Sequence, residues 1–185
     1  MDRKNILILA FALMVSAQFY VPLSMIWESE GILSMGTPYK FRTAPIDPND
    51  PFRGKYITLE FKDNICDVKN DSNWIEGEMA YGIVENLNGF AHITSLAKSK
   101  PKDKDYLHLR INYLVTMGDA YLANLVFPFK KYYMEESKAY AAERIYRERQ
   151  LDTIRTTYAL VYIKDGVGRL ADVKIGDSSI QDMVK

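Results

Sequence analysis

Acidic, basic and phenolic side chains crowd into two short stretches of this chain. In the first, Arg42 to Phe61, Asp47 and Asp50 fall among Pro45, Pro48 and Pro51 and are followed by Arg53 and Tyr56. In the second, Phe129 to Glu136, Tyr132 precedes Glu135 and Glu136. Brought together, Asp47, Asp50, Arg53, Tyr56, Tyr132 and Glu135 would line a polar pocket able to hold a charged small molecule or a peptide end. Carboxylates in such a pocket could also divide the acid and base roles of a hydrolase, Asp47 or Asp50 working with Glu135. The architectural reading is plainer and is preferred. Arg53 carries a planar fork that would lock the turn through Asp47 or Asp50, or reach Glu135 or Glu136. Tyr56 and Tyr132 would pack with their hydroxyls bonded at a sheet edge. Nothing in the sequence fixes the carboxylate separation, and no Gly-x-Ser-x-Gly or His-Glu-x-x-His run is present, so no catalytic residue is assigned.

Metal and cofactor chemistry has little to work with. Cys66 is the single cysteine, which leaves no internal disulfide and no zinc site of several thiolates. His92 and His108 fall in segments with strand patterning and are read as satisfied or surface residues. The loop from Lys62 to Asn73 is rich in Asp and Asn but lacks the spacing and terminal Glu of an EF-hand. No metal and no cofactor is expected. The formal charge is zero from 24 basic and 24 acidic side chains, and without Asp2, Arg3 and Lys4 the remainder holds 22 against 23. That balance removes the long-range attraction nucleic acid would require, so none is expected as a partner.

The elements that would position these residues are mostly strands. Pro45, Pro48 and Pro51 hold Asp47 and Asp50 extended or at turn corners, after which Tyr56 to Phe61 would run as a strand with Ile57, Leu59 and Phe61 on one face. Asn88-Gly89 between Met79–Glu85 and Phe90–Leu96, and Asp165-Gly166 between Asp152–Lys164 and Val167–Ile175, are tight-hairpin signals. Leu107, Leu109, Ile111, Tyr113 and Val115 alternate with His108, Arg110, Asn112 and Leu114, so the first set should face a core. A second long run, Tyr121 to Tyr133, would return beside it, bent at Pro128. Ala97 to Asp105 reads as a solvated lysine-rich loop. From 135 to 150 the period turns helical, with Ala139, Ala142 and Tyr146 in step, Ile145 beside them, and a Glu143/Arg147 pair. The expected fold is α+β and β-rich: about seven antiparallel strands in a sandwich or small barrel, with one amphipathic helix near 135–150.

Ahead of this domain lies a segment of a different kind. Arg3 and Lys4 precede Ile6 to Trp27, which carries no charge and only Ser16, Gln18, Ser24 and the Tyr20 hydroxyl as polar groups. Roughly 20 apolar residues cross the hydrocarbon core as a helix, and basic residues in front favour a cytoplasmic N-terminus. The division expected is therefore a transmembrane anchor over 1–27, a connector over 28–41 with Gly31, Gly36 and Pro38, and an exported domain over 42–185. The alternative is a signal peptide cleaved after Val15-Ser16-Ala17. Hydrophobicity that continues through Phe19, Val21, Leu23 and Met25 favours the uncleaved anchor.

Three motifs carry a resemblance. Gly54-Lys55-Tyr56-Ile57-Thr58-Leu59-Glu60-Phe61 stands behind Pro45-Ile46-Asp47-Pro48-Asn49-Asp50 and Arg53. Phe129-Lys130-Lys131-Tyr132-Tyr133-Met134-Glu135-Glu136 leads into a helix, and Val161 to Gly176 closes the chain as a hairpin. In these and in the order of elements the chain resembles the GDYXXLXY family of bacterial membrane-anchored proteins over nearly its whole length. Lys55 stands where the motif has Asp and Phe61 where it has its second Tyr, so neither group can be essential in this member. The resemblance implies an accessory protein in the membrane, and with the absence of catalytic motifs the expectation is a non-catalytic module in the bacterial inner membrane. It implies a single pass with the C-terminal domain in the periplasm, and as partners the lipid bilayer and a multispanning membrane protein.

Overall fold

A computed structural model describes residues 3–44, 56–68, 73–118, 120–133, 135, 138, 141–142, 144–146 and 156–184. Helix α1, Arg3–Met35, is 33 residues long and carries Pro22 in its interior. At 1.5 Å per residue it is about 50 Å long. Its apolar side chains, from Ile6 through Trp27, are exposed on every side, as befits a membrane anchor or a signal sequence and not a core helix.

The stretch expected as a connector is ordered. The helix continues through Glu28 and Glu30 to Met35, the Gly36 N–H donates to the Ile32 carbonyl at 2.8 Å, and the chain passes at once into β1, Thr37–Ala44. Tyr39, Phe41 and Thr43 alternate toward the core along β1, with Phe41 and Thr43 buried. Strand β1 thus crosses the expected domain boundary at residue 42.

Among the described residues twelve strands follow where about seven are expected. The seven long ones are β1, β5 (Met79–Leu87), β6 (Phe90–Ala97), β7 (Tyr106–Met117), β8 (Ala120–Val126), β10 (Thr157–Lys164) and β11 (Val167–Ile175). The others are two or three residues long: β2 (Tyr56–Thr58), β3 (Glu60–Phe61), β4 (Ile65–Asp67), β9 (Lys131–Tyr133) and β12 (Ser178–Ser179). One five-stranded sheet has the order β12-β11-β10-β1-β3 and the other β4-β8-β7-β5-β6, while β2 and β9 form a separate pair. All ladders among the described residues are antiparallel, and the two larger sheets do not close into a barrel.

Both sheets supply a single core. At its centre Phe41, Phe61, Phe127 and Phe129 meet with ring centroids 4.9 Å to 6.1 Å apart, mostly in the tilted and edge-on arrangements that aromatic quadrupoles favour. The described part of the 135–150 segment is helical at 138, 141–142 and 144–146, with Ala142 and Tyr146 fully buried one turn apart. The Glu143/Arg147 pair lies outside the described residues.

Three strand expectations change. The strand over 56–61 breaks at Leu59, whose N–H donates to the Lys130 carbonyl at 2.7 Å; β2 pairs with β9 and β3 with β1. The run from Tyr121 stops at Val126, and beyond Pro128 the chain re-enters as β9. In β7 the register slips between Ile111 and Tyr113. Leu107, Leu109 and Ile111 are sealed in the core, but beyond this bulge Leu114 packs against it while Tyr113 and Val115 are 45% and 39% exposed. In the loop over 62–73, residues Ile65–Asp67 form β4, and Cys66 is buried.

Candidate functional site

Of the residues singled out for chemistry, Asp47, Asp50, Arg53 and Glu136 lie outside the described residues, as does the Tyr56 side chain. The Tyr56 backbone stands opposite Tyr133 in the β2/β9 ladder. Glu135 is exposed and its carboxylate lies 3.8 Å from the Lys138 ammonium, a surface pair. Tyr132 turns the other way, into the core, and its hydroxyl donates to Asp172 Oδ1 at 3.0 Å. Tyr132 and Glu135 are therefore not brought together.

Asp172 is the centre the sequence did not reveal. Its Oδ1 also accepts from the Ser179 hydroxyl at 2.9 Å and from the Val173 N–H at 2.8 Å. The network ties β9, β11 and β12 together across 40 residues of chain. Burial, and then the Asp172 charge, push the Tyr132 phenol far above its ordinary value. A phenol held that firmly protonated is a hydrogen-bond donor and a poor acid catalyst near neutrality.

A concavity lies elsewhere, under the Asp165-Gly166 turn of the β10/β11 hairpin. It is a cleft of about 480 Å³ lined by Lys100, Pro101, Asp103, Lys104, Asp105, Tyr106, Ile163, Asp165 and Gly166. Two of its charges are already engaged: Lys104 pairs with Glu85 at 3.0 Å, and Asp105 accepts from the Tyr39 hydroxyl at 2.9 Å. Burial first, then that hydrogen bond and the Asp105 charge, push Tyr39 up to about 12. Lys100, 5.8 Å from the centroid of the Tyr106 ring, is raised chiefly by its interaction with Tyr106, with Asp165 adding to it. The floor is stiff. Gly166 has φ +82° and a Cβ there would collide with the rings of His108 and Tyr106, which stack at 5.7 Å. On the far side of the same turn a hollow of about 300 Å³ opens between Lys164, Asp165 and Val167 and the end of α1, at Trp27, Glu28, Gly31, Ile32 and Met35. The lysine loop and the Asp-Gly turn were each legible as signals; their meeting was not.

Other reactive groups are placed for structure. His92 Nδ1 lies 2.8 Å from Asp63 Oδ1, and His108 is packed between Tyr81, Tyr106 and the Gly166 backbone. Burial pushes the Cys66 thiol up to about 11, which disfavours the thiolate. Among the described residues no three His, Cys, Asp or Glu side chains gather as metal ligands would. The Ser-x-x-Lys spacing occurs at Ser95–Lys98 and at Ser99–Lys102, in neither case on a helix. Extended chain turns residues three apart to opposite faces, and Lys98 is held by Glu78 at 3.2 Å.

The class these features define is an antiparallel β-domain carried on an N-terminal apolar helix. The chain belongs to the GDYXXLXY protein family, whose family model matches residues 18–178. Comparison with curated proteins and with solved structures finds no match.

Proposed function

We propose that this chain is a membrane-anchored binding module, without catalytic activity, that assists a multispanning membrane protein or another envelope component. On this reading α1 stays uncleaved in the bacterial inner membrane with Arg3 and Lys4 on the cytoplasmic side. The two sheets around the shared core form a sandwich facing the periplasm. Cleavage after Ala17 would instead release the domain, and the protein would then be periplasmic.

One observation carries the reading: the apolar helix is built into the domain. Ile32 is 4% exposed against the β10/β11 hairpin, and no slack separates Met35 from β1. Cleavage after Ala17 would leave this contact in place, so it fixes the end of the helix to the domain, while the uncleaved anchor is supported by the apolar run that continues past Ala17 to Trp27 within the same unbroken helix. Cross-linking the full-length chain in its native membrane and identifying what accompanies it tests the proposal. A reproducible membrane-protein or envelope partner supports it. Recovery of the chain alone, or of a soluble form beginning at Gln18, counts against it, and a bound metabolite whose turnover is lost in Asp47→Asn would point to the hydrolase.

A further inference from the structure

We propose that the polar cleft under the Asp165-Gly166 turn holds the head group of one membrane phospholipid, a zwitterion with a phosphate beside Lys100 and a primary ammonium between Asp103 and Asp165. This rests on the anchor reading above and adds a ligand to it.

Depth is the first argument. The apolar run ends at Trp27, so Gly31 lies about 6 Å and Met35 about 12 Å further along the helix axis. The head-group layer on each side of a bilayer is on the order of 5–7 Å thick, which places the hollow formed by Trp27, Gly31 and Met35 at and just above that layer. Asp165 is a wall of both the hollow and the polar cleft. A lipid whose acyl chains lie against Trp27, Gly31 and Val167 would carry its glycerol past the shared Asp165 wall and its head group into the cleft.

Charge chooses the head group. With Lys104 engaged by Glu85 and Asp105 by Tyr39, the lining charges left without such a partner among the described residues are Lys100, Asp103 and Asp165. Lys100, whose ammonium lies 5.8 Å from the centroid of the Tyr106 ring, supplies one cation for a phosphate. The two carboxylates repel a purely anionic head group and accept N–H donors, which a primary ammonium has and a quaternary one lacks. Tyr106 is the one aromatic ring in the lining, whereas a quaternary ammonium calls for a cage of several.

The test uses the full-length chain. Washing membranes with carbonate first shows whether the chain remains in the pellet; its release would overturn the anchor reading and this proposal together. For pelleted protein, native mass spectrometry after mild detergent extraction and exchange into equal parts phosphatidylethanolamine, phosphatidylcholine and phosphatidylglycerol reads which lipid is retained. The expected result is one phosphatidylethanolamine retained at least fivefold over the others. Lys100→Glu and Asp165→Asn should abolish this preference while Lys100→Arg keeps it, with unchanged thermal melting showing that each variant is folded. Equal retention of the three lipids, a preference for phosphatidylglycerol or phosphatidylcholine, or a preference indifferent to Lys100→Glu and Asp165→Asn in folded protein overturns the proposal.

Discussion

Tyr132 shows how far the type of a residue goes and where it stops. Its place near Glu135 points to a shared pocket, yet Tyr132 is the buried residue of β9 and gives its phenol to Asp172, while Glu135, beyond the strand, is exposed. Tyr132→Phe removes a buried donor to a carboxylate that still keeps Ser179 and Val173. The expected loss is ~1–3 kcal/mol of unfolding free energy, read from urea denaturation, with membrane association unchanged. Tyr39 makes a second prediction, in pH. Its pKa in the fold, about 12, lies above the unsupported value of 10.0. Its contribution is therefore complete below pH 10 and is lost as pH rises toward 12. Tyr132, raised in the same direction, adds to the fall. Unfolding free energy measured across that range should decline, and Tyr39→Phe or Tyr132→Phe should flatten the decline; an equal slope in both variants would contradict the assignment. Asp172 was not legible in advance because its partners lie up to 40 positions away and leave no local spacing.

At the scale of elements, the hairpins were the most readable part of the chain. Asn88-Gly89 and Asp165-Gly166 both adopt positive φ throughout, 55° and 83° in the first and 50° and 82° in the second, which only a few residue types tolerate. They differ in surroundings, because a Cβ on Gly89 meets nothing within 4 Å whereas one on Gly166 strikes His108 and Tyr106. Gly89→Ala should cost ~1 kcal/mol from backbone strain alone and Gly166→Ala about 2–4 kcal/mol, compared by thermal or chemical denaturation. The slip in β7 makes a further contrast. Leu109→Ala leaves a cavity and is expected to cost ~2–5 kcal/mol, while Tyr113→Ala, past the bulge, should stay within about 0.5 kcal/mol. A strict two-residue alternation cannot announce the point at which it is broken, so it puts Tyr113 and Val115 on the core face, whereas beyond the bulge they are exposed. Strand β1 was missed for another reason: Gly36 and Pro38 mark a connector, and they outweighed the alternation of Tyr39, Phe41 and Thr43, which is the signal that could have found it.

For the molecule as a whole, the two-part plan of apolar helix and β-rich domain was legible from composition and period. Their joint was not, because Ile32 finds its neighbours only when the hairpin more than 130 residues later folds back. A fragment beginning at Glu28 is expected to be soluble and folded. One beginning at Thr37 lacks Ile32 and should be weaker by ~1–3 kcal/mol, measured by denaturation of the two side by side. If the Glu28 fragment does not fold alone, the sheets are not an independent unit. The joint has a mechanical consequence. With Gly36 as the single residue between helix and first strand, the rod and the body it carries share one axis of rotation. Any swivel or tilt imposed on the rod by its surroundings swings the outer surface through the same angle, with no swivel bearing between them to absorb it.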